Sequence, residues 1–252
     1  MTNLAADNAW IRRFHQEPDS RVTLVCFPHA GGSASFFYPV SDAMQSTLQV
    51  VALQYPGRQD RRQERPLATI AELADQSYAA LRSLMDRPLA FFGHSMGATL
   101  AFEVAVRMET SLGIAPVTLF ASGRRAPSRH RDETVHLLDD DGLVGELKNL
   151  SGTDSRFLGD EELLRMILPA IRSDYTAAET YRYRPGPRLR CPIVALTGTS
   201  DPKVSLDEAQ AWSEHTTGGF ELHSYDGGHF FLAQHQRAVI NLISDQLLAL
   251  SL

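Results

Sequence analysis

Cysteine is scarce in this chain, with two residues among 252. Cys26 lies inside an apolar run typical of a β-strand, and Cys191 directly precedes Pro192. Two isolated thiols cannot build the framework of bridges found in small secreted domains, and they lack the paired spacing of a zinc cluster. We therefore interpret both as structural thiols and expect neither a disulfide scaffold nor a metal site.

Long apolar runs are also missing, since none approaches the roughly 20 residues that a membrane-spanning helix needs. The first residues, MTNLAADNAWIRRFH, do not have the basic and then apolar pattern of a secretion signal. These two observations predict no membrane segment and a cytoplasmic protein.

Positive charge is in deficit, with 24 Lys and Arg against 30 Asp and Glu and a net charge of -6. Proteins that bind nucleic acid usually carry an excess of Lys and Arg to neutralise phosphates, so nucleic acid is not expected as a partner. With 43% apolar and 21% charged residues, the composition is that of a globular chain with a substantial core. We expect a single domain over residues 1–252.

Short apolar runs rich in β-branched and aromatic residues alternate with longer segments of helical period. The runs predict strands at residues 22–27, 50–53, 89–92, 117–121, 193–197 and, more weakly, 221–224. The longer segments predict helices at residues 70–85, 96–108, 206–214 and 233–250. This order predicts an α/β fold with a mostly parallel central sheet and helices on both faces.

One interval, from about residue 124 to residue 187, contains helix-like patterns and no convincing strand. Long connections that carry their own helices often cover active sites. We interpret the interval as a helical lid inserted into the domain. The alternative is an insertion that packs on the side of the domain, away from any site.

The pentapeptide GHSMG at residues 93–97 follows an apolar run and precedes a helical pattern. In a G-x-S-x-G turn between strand and helix, the serine occupies a strained position that exposes its hydroxyl, and the small flanking residues let strand and helix approach closely. Ser95 is therefore the predicted nucleophile. The alternative is an ordinary glycine-rich turn between a strand and a helix.

A serine hydroxyl needs a neighbouring base, and in this type of fold the chain order is serine, acid, histidine. His229 lies in the glycine-rich segment DGGHFF, between the last predicted strand and the final predicted helix. It is the predicted base. The alternatives are His223, within the predicted strand, and His235, on the terminal helix.

Asp201 lies in the segment GTSDP, directly after the predicted strand at residues 193–197. Ligand-binding groups gather at the carboxyl ends of parallel strands, so Asp201 is the acid predicted to orient His229. A helix cap or an Asx turn would also explain this aspartate. Asp226 is the rival acid, although its closeness in sequence to His229 disfavours an unstrained hydrogen bond to that ring.

The segment PHAGGS at residues 28–33 follows the first long predicted strand. A glycine-rich loop in this place can turn backbone N–H groups toward a ligand. We expect the amide of Met96, directly after the nucleophile, and the amide of Ala30 to bind an oxyanion. The alternative is an ordinary turn that contains two glycines.

Arginines cluster after two of the predicted strands. They would border the carboxyl edge of the sheet and could receive an acidic partner, or they could be solvated loop residues. The clusters are Arg58, Arg61, Arg62 and Arg65, and Arg124, Arg125, Arg129 and Arg131.

Six segments spread over nearly the whole chain strongly resemble the stand-alone type II thioesterases of polyketide and nonribosomal peptide biosynthesis. They are FPHAGGSASFF, YPGRQDRRQE, GHSMGATLAFE, ASGRRAP, LTGTSDPKV and GGHFFL. The fatty-acid chain-terminating thioesterases are close relatives of that family. The resemblance implies an α/β-hydrolase fold with a helical lid. It also implies a triad of Ser95, Asp201 and His229, with the amides of Ala30 and Met96 as oxyanion donors.

The same resemblance implies hydrolysis of acyl thioesters on the phosphopantetheine arm of an acyl or peptidyl carrier protein, which removes stalled or wrongly loaded acyl groups. It implies no metal or redox cofactor, because the substrate itself carries the phosphopantetheine. The alternatives are an esterase or lipase acting on oxygen esters, a non-catalytic binding protein on the same scaffold, and a cyclising thioesterase that belongs to a synthase. The lid segments depart most from the family pattern, so the acyl-chain preference stays open.

Overall fold

The computed structural model describes residues 9–151 and 161–249. Seven strands in these residues form one sheet. They are β1 (Ile11–Arg12), β2 (Thr23–Phe27), β3 (Gln49–Leu53), β4 (Leu89–His94), β5 (Leu119–Ser122), β6 (Ile193–Gly198) and β7 (Phe220–Tyr225). Their order in the sheet is β1-β3-β2-β4-β5-β6-β7, with β1 antiparallel to β3 and the remaining neighbours parallel. The six predicted strands are confirmed, and β1 is an addition.

The described residues form eight α-helices, and none of them has the length and apolar character needed to cross a membrane. They are α1 (Tyr38–Met44), α2 (Ile70–Leu81), α3 (Met96–Leu112), α4 (Asp140–Ser151), α5 (Glu161–Thr180), α6 (Leu206–Gln210), α7 (Phe231–Gln234) and α8 (Gln236–Leu248). Short 3-10 turns extend α2 and α6 over the rest of their predicted spans. The single helix predicted at residues 233–250 is instead divided at His235.

Side chains of the sheet alternate between two layers of helices. In β2, Val25 and Phe27 belong to the core that includes α2 and α3, whereas Leu24 and Cys26 belong to the core that includes α1 and α8. Every residue of β2 is buried, which explains why the sequence of this strand is apolar without alternation. The predicted α/β class, with helices on both faces of a mostly parallel sheet, is confirmed.

Both cysteines are buried and carry free thiols. Burial raises the pKa of each, that of Cys191 to about 12, so both stay protonated at neutral pH. A protonated, enclosed thiol is a poor nucleophile. The prediction that Cys26 and Cys191 are structural is therefore consistent with their surroundings.

Helices α4 and α5 lie between β5 and β6, in the interval where the sequence predicts no strand. Leu143 of α4 and three residues of α5, Leu168, Ile171 and Tyr175, form a small apolar cluster. Ala30, in the loop after β2, packs against this cluster. The two helices are thereby held next to the carboxyl edge of the sheet.

Candidate active site

Ser95 occupies a strained turn between β4 and α3. Its backbone angles are φ 54° and ψ -121°, a conformation that side-chain-bearing residues rarely adopt. A Cβ atom at Gly93 would lie 2.3 Å from the carbonyl oxygen of Gly97, and one at Gly97 would lie 2.0 Å from that of Phe27. Because backbone atoms fill these spaces, only glycine permits the close approach of strand and helix that exposes the serine.

The structure brings Ser95, His229 and Asp201 together, although they come from three separate loops. The Nε2 atom of His229 lies 3.0 Å from Oγ of Ser95. On the other side of the ring, Nδ1 lies 2.9 Å and 3.1 Å from the two carboxylate oxygens of Asp201. All three predicted side chains therefore form one continuous hydrogen-bonded chain.

Burial and hydrogen bonding define which atoms donate and which accept in these hydrogen bonds. The side chain of Asp201 is fully enclosed, and its Oδ1 atom also accepts a hydrogen bond from the amide of Lys203 at 2.8 Å. An ionised carboxylate can only accept, so Nδ1 of His229 carries the proton and donates it to Asp201. In the neutral ring Nε2 is then left as an acceptor, directed at the hydroxyl of Ser95.

The rival residues His223, His235 and Asp226 make other hydrogen bonds. His223 bonds to Glu221 at 3.1 Å, and Nε2 of His235 lies 2.6 Å from the carbonyl oxygen of Asp226. The carboxylate of Asp226 is exposed and accepts a hydrogen bond from Thr199 at 3.3 Å. None of these three rivals contacts Ser95.

Ala30 and Met96 line the same cavity as Ser95 and His229, with a volume of about 190 Å³. The loop of Ala30 follows β2 and that of Ser95 follows β4, which is the neighbouring strand in the sheet. The two predicted oxyanion residues thus line the cavity into which the serine opens. A larger groove, of about 600 Å³ between α2, α3 and the segment after α5, does not include Ser95.

Glu133 and Lys203 line the cavity and form a charged wall, which no local sequence motif predicts. Glu133 accepts hydrogen bonds from Arg125 and, at 3.2 Å, from Lys203. Lys203 also pairs with Glu146 of α4 at 2.6 Å. Burial alone would raise the pKa of Glu133, but the bonds and charges of Arg125 and Lys203 lower it to about 2. The wall therefore stays ionised at neutral pH.

Two further histidines border the serine and the oxyanion loop. The rings of His94 and His229 have centroids 5.2 Å apart, and His29 packs against Phe230 at 5.0 Å. Burial, reinforced by the nearby His229, lowers the pKa of His29 to about 3 and that of His94 well below its ordinary value. Both rings are neutral at physiological pH. A ring as weakly basic as that of His29 is poorly suited to act as a second base.

The two arginine clusters are divided between buried and exposed side chains. Arg58, Arg61 and Arg125 are buried and bonded within the chain. Arg129 pairs with Glu214, and Arg131 pairs with Glu208. These three buried arginines are therefore not available to a partner, whereas Arg62 and Arg65 are exposed, and an acidic partner there stays a prediction.

A strained serine after a strand, bonded through a histidine to an enclosed aspartate at the carboxyl edge of a parallel sheet, defines the class of α/β hydrolases. The profile of the thioesterase domain family matches residues 22–247, and the chain belongs to this family.

Among proteins of known name, the chain is 52% identical over 240 residues to thioesterase PikA5 of Streptomyces venezuelae, covering 95% of this chain and 85% of that protein. It is 34% identical to gramicidin S biosynthesis protein GrsT of Aneurinibacillus migulanus, covering 98% and 97%. The solved structure of type II thioesterase BorB, from the borrelidin biosynthetic cluster, superimposes with a TM-score of 0.91 at 55% identity, covering 96% and 98%. The predicted family and α/β-hydrolase fold are confirmed, and the chain is a thioesterase of the serine hydrolase type.

Proposed function

We propose that this enzyme hydrolyses acyl thioesters on the phosphopantetheine arm of an acyl or peptidyl carrier protein, and so removes aberrant or stalled acyl groups during polyketide or nonribosomal peptide synthesis. The observation that carries the proposal is the hydrogen-bonded chain from Ser95 through His229 to Asp201, open to a cavity. The names of the relatives, type II thioesterases of such pathways among them, support the substrate class. The proposed site of action is the cytoplasm, beside the synthase.

In the first half of the reaction, Oγ of Ser95 attacks the thioester carbonyl carbon while Nε2 of His229 accepts the hydroxyl proton. The amides of Ala30 and Met96 donate hydrogen bonds to the oxyanion that forms. When the tetrahedral intermediate collapses, the carbon–sulfur bond breaks and the sulfur leaves with the proton held by His229. An acyl group remains esterified to Ser95.

In the second half, His229 removes a proton from a water molecule, which attacks the carbonyl carbon of the acyl-serine. The same two amides hold the second oxyanion. The ester bond then breaks, Ser95 recovers its proton from His229, and a carboxylic acid is released. These residues and water supply each step, so the proposed reaction uses no cofactor besides the phosphopantetheine that the substrate carries.

Within this proposal, residues 124–187 form a lid on a single domain that spans residues 1–252. Leu147 and Leu150 of α4 and Ile171 and Tyr175 of α5 line the cavity opposite the serine. An apolar lining suits the hydrocarbon part of an acyl group, and a covered site keeps bulk water from the intermediates.

The proposal is tested with a short acyl group loaded on a carrier protein, on free phosphopantetheine, and as a simple oxygen ester. We expect Ser95→Ala to abolish acid release from all three. Ser83→Ala is the matched control, because Ser83 is an exposed residue after α2 whose hydroxyl bonds only to the Ala80 carbonyl oxygen at 3.3 Å. It should retain wild-type turnover.

Turnover of the wild-type enzyme should be highest on the carrier-bound thioester. Faster turnover of the oxygen ester would replace the proposal with an esterase. A third measurement, labelling with a fluorophosphonate, separates an enzyme from a binding protein on the same scaffold. Absence of labelling at Ser95, or full activity of Ser95→Ala, would refute the assigned nucleophile.

A further inference from the structure

A buried ion pair connects helix α5 to the loop that carries Ala30. Arg58, in the segment after β3, pairs with Asp174 of α5, and their side chains are only 5% and 1% exposed. The carboxylate oxygen Oδ2 of Asp174 also accepts a hydrogen bond from the amide of Gly31 at 2.7 Å. Two elements outside the triad therefore meet directly beside the predicted oxyanion residue.

Arg58 makes further contacts that are all internal. Its Nε–H donates to the carbonyl oxygen of Gly32 at 2.9 Å, and a terminal nitrogen donates to that of Pro56 at 2.8 Å. The guanidinium lies 5.0 Å from the centre of the Tyr55 ring, whose hydroxyl donates to the Pro28 carbonyl oxygen at 3.2 Å. The segment Tyr55-Pro56-Gly57-Arg58 thus holds the loop at both of its ends.

These bonds fix the direction of the Ala30 amide. The amide of Gly32 donates to the carbonyl oxygen of His29 at 2.9 Å. Because a trans peptide is planar, the N–H of Ala30 points in the direction opposite to that carbonyl. Gly31 has φ 75°. Its amide donates to Asp174, and the carbonyl oxygen of the next residue, Gly32, accepts a hydrogen bond from Arg58. A shift of either side chain would therefore turn the peptide that contains the donor.

We propose that Arg58 and Asp174 are positioning residues, which orient the Ala30 amide as an oxyanion donor and tie that orientation to helix α5. The inference rests on the proposed function, since it assigns the Ala30 amide a role in the reaction of Ser95. Neither side chain lines the cavity, so both act through the loop and not on the substrate.

Two substitutions separate geometry from charge, and the one that removes a charge should cost more stability because it leaves the other buried charge uncompensated. Burial raises the pKa of Asp174 even though Arg58 opposes this, and its Oδ1 atom has no hydrogen-bond partner among the described residues. Arg58→Lys keeps the positive charge but loses the rigid fork that reaches Asp174, Gly32 and Pro56 together. Asp174→Asn keeps the shape and an acceptor for Gly31 but loses the charge.

Arg61→Lys is the matched control. Arg61 is as buried as Arg58, at 7% against 6% exposed, and comes from the same segment. Its hydrogen bonds go to the carbonyl oxygen of Gln54 and to Glu64, so it does not hold the loop of Ala30. Both lysine variants should lose similar thermal stability, which makes any difference in catalysis attributable to the loop.

Turnover is measured on a butanoyl thioester of N-acetylcysteamine, a short mimic of phosphopantetheine. Oxyanion donors act in the transition state, so Arg58→Lys should lower kcat by roughly tenfold to a hundredfold with little change in KM. Asp174→Asn should lower kcat by about tenfold, while Arg61→Lys stays within about twofold of wild type. The affinity for a trifluoromethyl ketone, which forms a tetrahedral oxyanion with serine, should fall in parallel with kcat.

A rise in KM at constant kcat, or equal kcat in Arg58→Lys, Asp174→Asn and Arg61→Lys, would overturn the inference. Unchanged affinity for the trifluoromethyl ketone would do the same. These results are distinguishable from failure of the proposed function, which would appear as retained turnover in Ser95→Ala. If Asp174→Asn does not fold, Arg58→Lys against Arg61→Lys supplies the kinetic comparison alone.

Discussion

The imidazole of His229 depends on a single carboxylate for its tautomer. Asp201 holds the proton on Nδ1, and Nε2 remains free to accept the proton of Ser95. The carboxylate is fully enclosed and is fixed by the Lys203 amide, so it has little freedom to release the ring. The assigned role of Asp201 is therefore orientation of the base, not proton transfer.

This role predicts a large effect from a small change. Asp201→Asn keeps the size of the side chain but can present an amide N–H to Nδ1, which favours the tautomer with the proton on Nε2. We expect kcat to fall by roughly a thousandfold to ten-thousandfold, with KM little changed, as for loss of the tautomer in other triads. Steady-state kinetics on an acyl thioester measure the loss.

Asp226→Asn is the matched control, because Asp226 was the rival acid in sequence but is exposed and bonded to Thr199. It should retain full turnover. If Asp226→Asn is the more damaging of the two, the assignment of the acid is wrong.

Local motifs explain why Ser95, Asp201 and His229 could be predicted from the sequence, whereas the charged wall of Glu133 and Lys203 could not. Ser95, Asp201 and His229 each follow a strand in a short glycine-containing segment, and that context can be read locally. Glu133 and Lys203 are 70 residues apart, and neither has a sequence context that predicts the other. Their pairing depends on how the loops after β5 and β6 fold together.

At the scale of helices and strands, the part of α5 after Pro169 is bonded to two other segments of the chain. Asp174 accepts a hydrogen bond from the amide of Gly31 in the loop after β2, whereas Glu179 accepts hydrogen bonds from the amides of Val135 and His136 within residues 124–187. Helix α4 has a link to the rest of the domain in the ion pair of Glu146 with Lys203, whose side chains are each 20% exposed. Leu143 of α4 is also buried in the apolar cluster with Leu168, Ile171 and Tyr175, so apolar contacts hold α4 against α5 as well.

The position of α4 predicts a way to change the acyl-chain preference. Leu147 of α4 lines the cavity of about 190 Å³, and Leu147→Trp would fill part of that volume. We expect kcat/KM for an octanoyl thioester to fall by at least about tenfold, with the acetyl thioester little affected, because a misfit of one methylene in an apolar pocket costs about 1 to 3 kcal/mol. A panel of acyl groups on one thiol measures the shift.

Leu137→Trp controls for the added indole, since Leu137 is 71% exposed and outside the cavity. Its chain-length profile should match wild type. Equal loss on short and long acyl groups in Leu147→Trp would show that the helix does not border the acyl chain.

The elements that escaped the sequence analysis are the short ones. β1 has two residues, which is too few for any period, and it forms because Ile11 and Arg12 pair with the edge of β3. α1 has seven residues and only two of them, Ser41 and Met44, are buried. Long-range packing, not local propensity, specifies such elements.

For the molecule as a whole, the number of arginines overstates the positive charge exposed at the surface, because some of them pair inside. The chain carries -6 overall, yet Arg58 and Arg125 are buried against Asp174 and Glu133. Composition predicted a globular chain with a substantial core, because the apolar area that a chain can bury depends on how many apolar residues it has. It could not predict which arginines remain exposed, because that depends on contacts between distant loops.

Buried histidines give the whole molecule a dependence on pH. His215 packs against Phe102, Tyr183 and Trp212, and burial lowers its pKa to about 4. His29 has a pKa of about 3 for the same main reason. In the unfolded chain both rings return to an ordinary value near 6.5. Below that pH the unfolded state therefore binds protons that the folded state does not.

The sign of the effect follows from this difference in bound protons. The free energy of unfolding is at its full value above about pH 6.5 and falls as the pH is lowered toward 4 for His215 and toward 3 for His29. The effect is measured by urea unfolding at about pH 7.0 and about pH 5.5. Between these two values the protonation of ordinary carboxylates changes little. We expect His215→Gln to reduce the loss of stability between the two by up to about 1 kcal/mol, less where solvent reaches the ring. His130→Gln, at an exposed position, is the control, and an identical loss in His215→Gln and wild type would show that this histidine does not contribute.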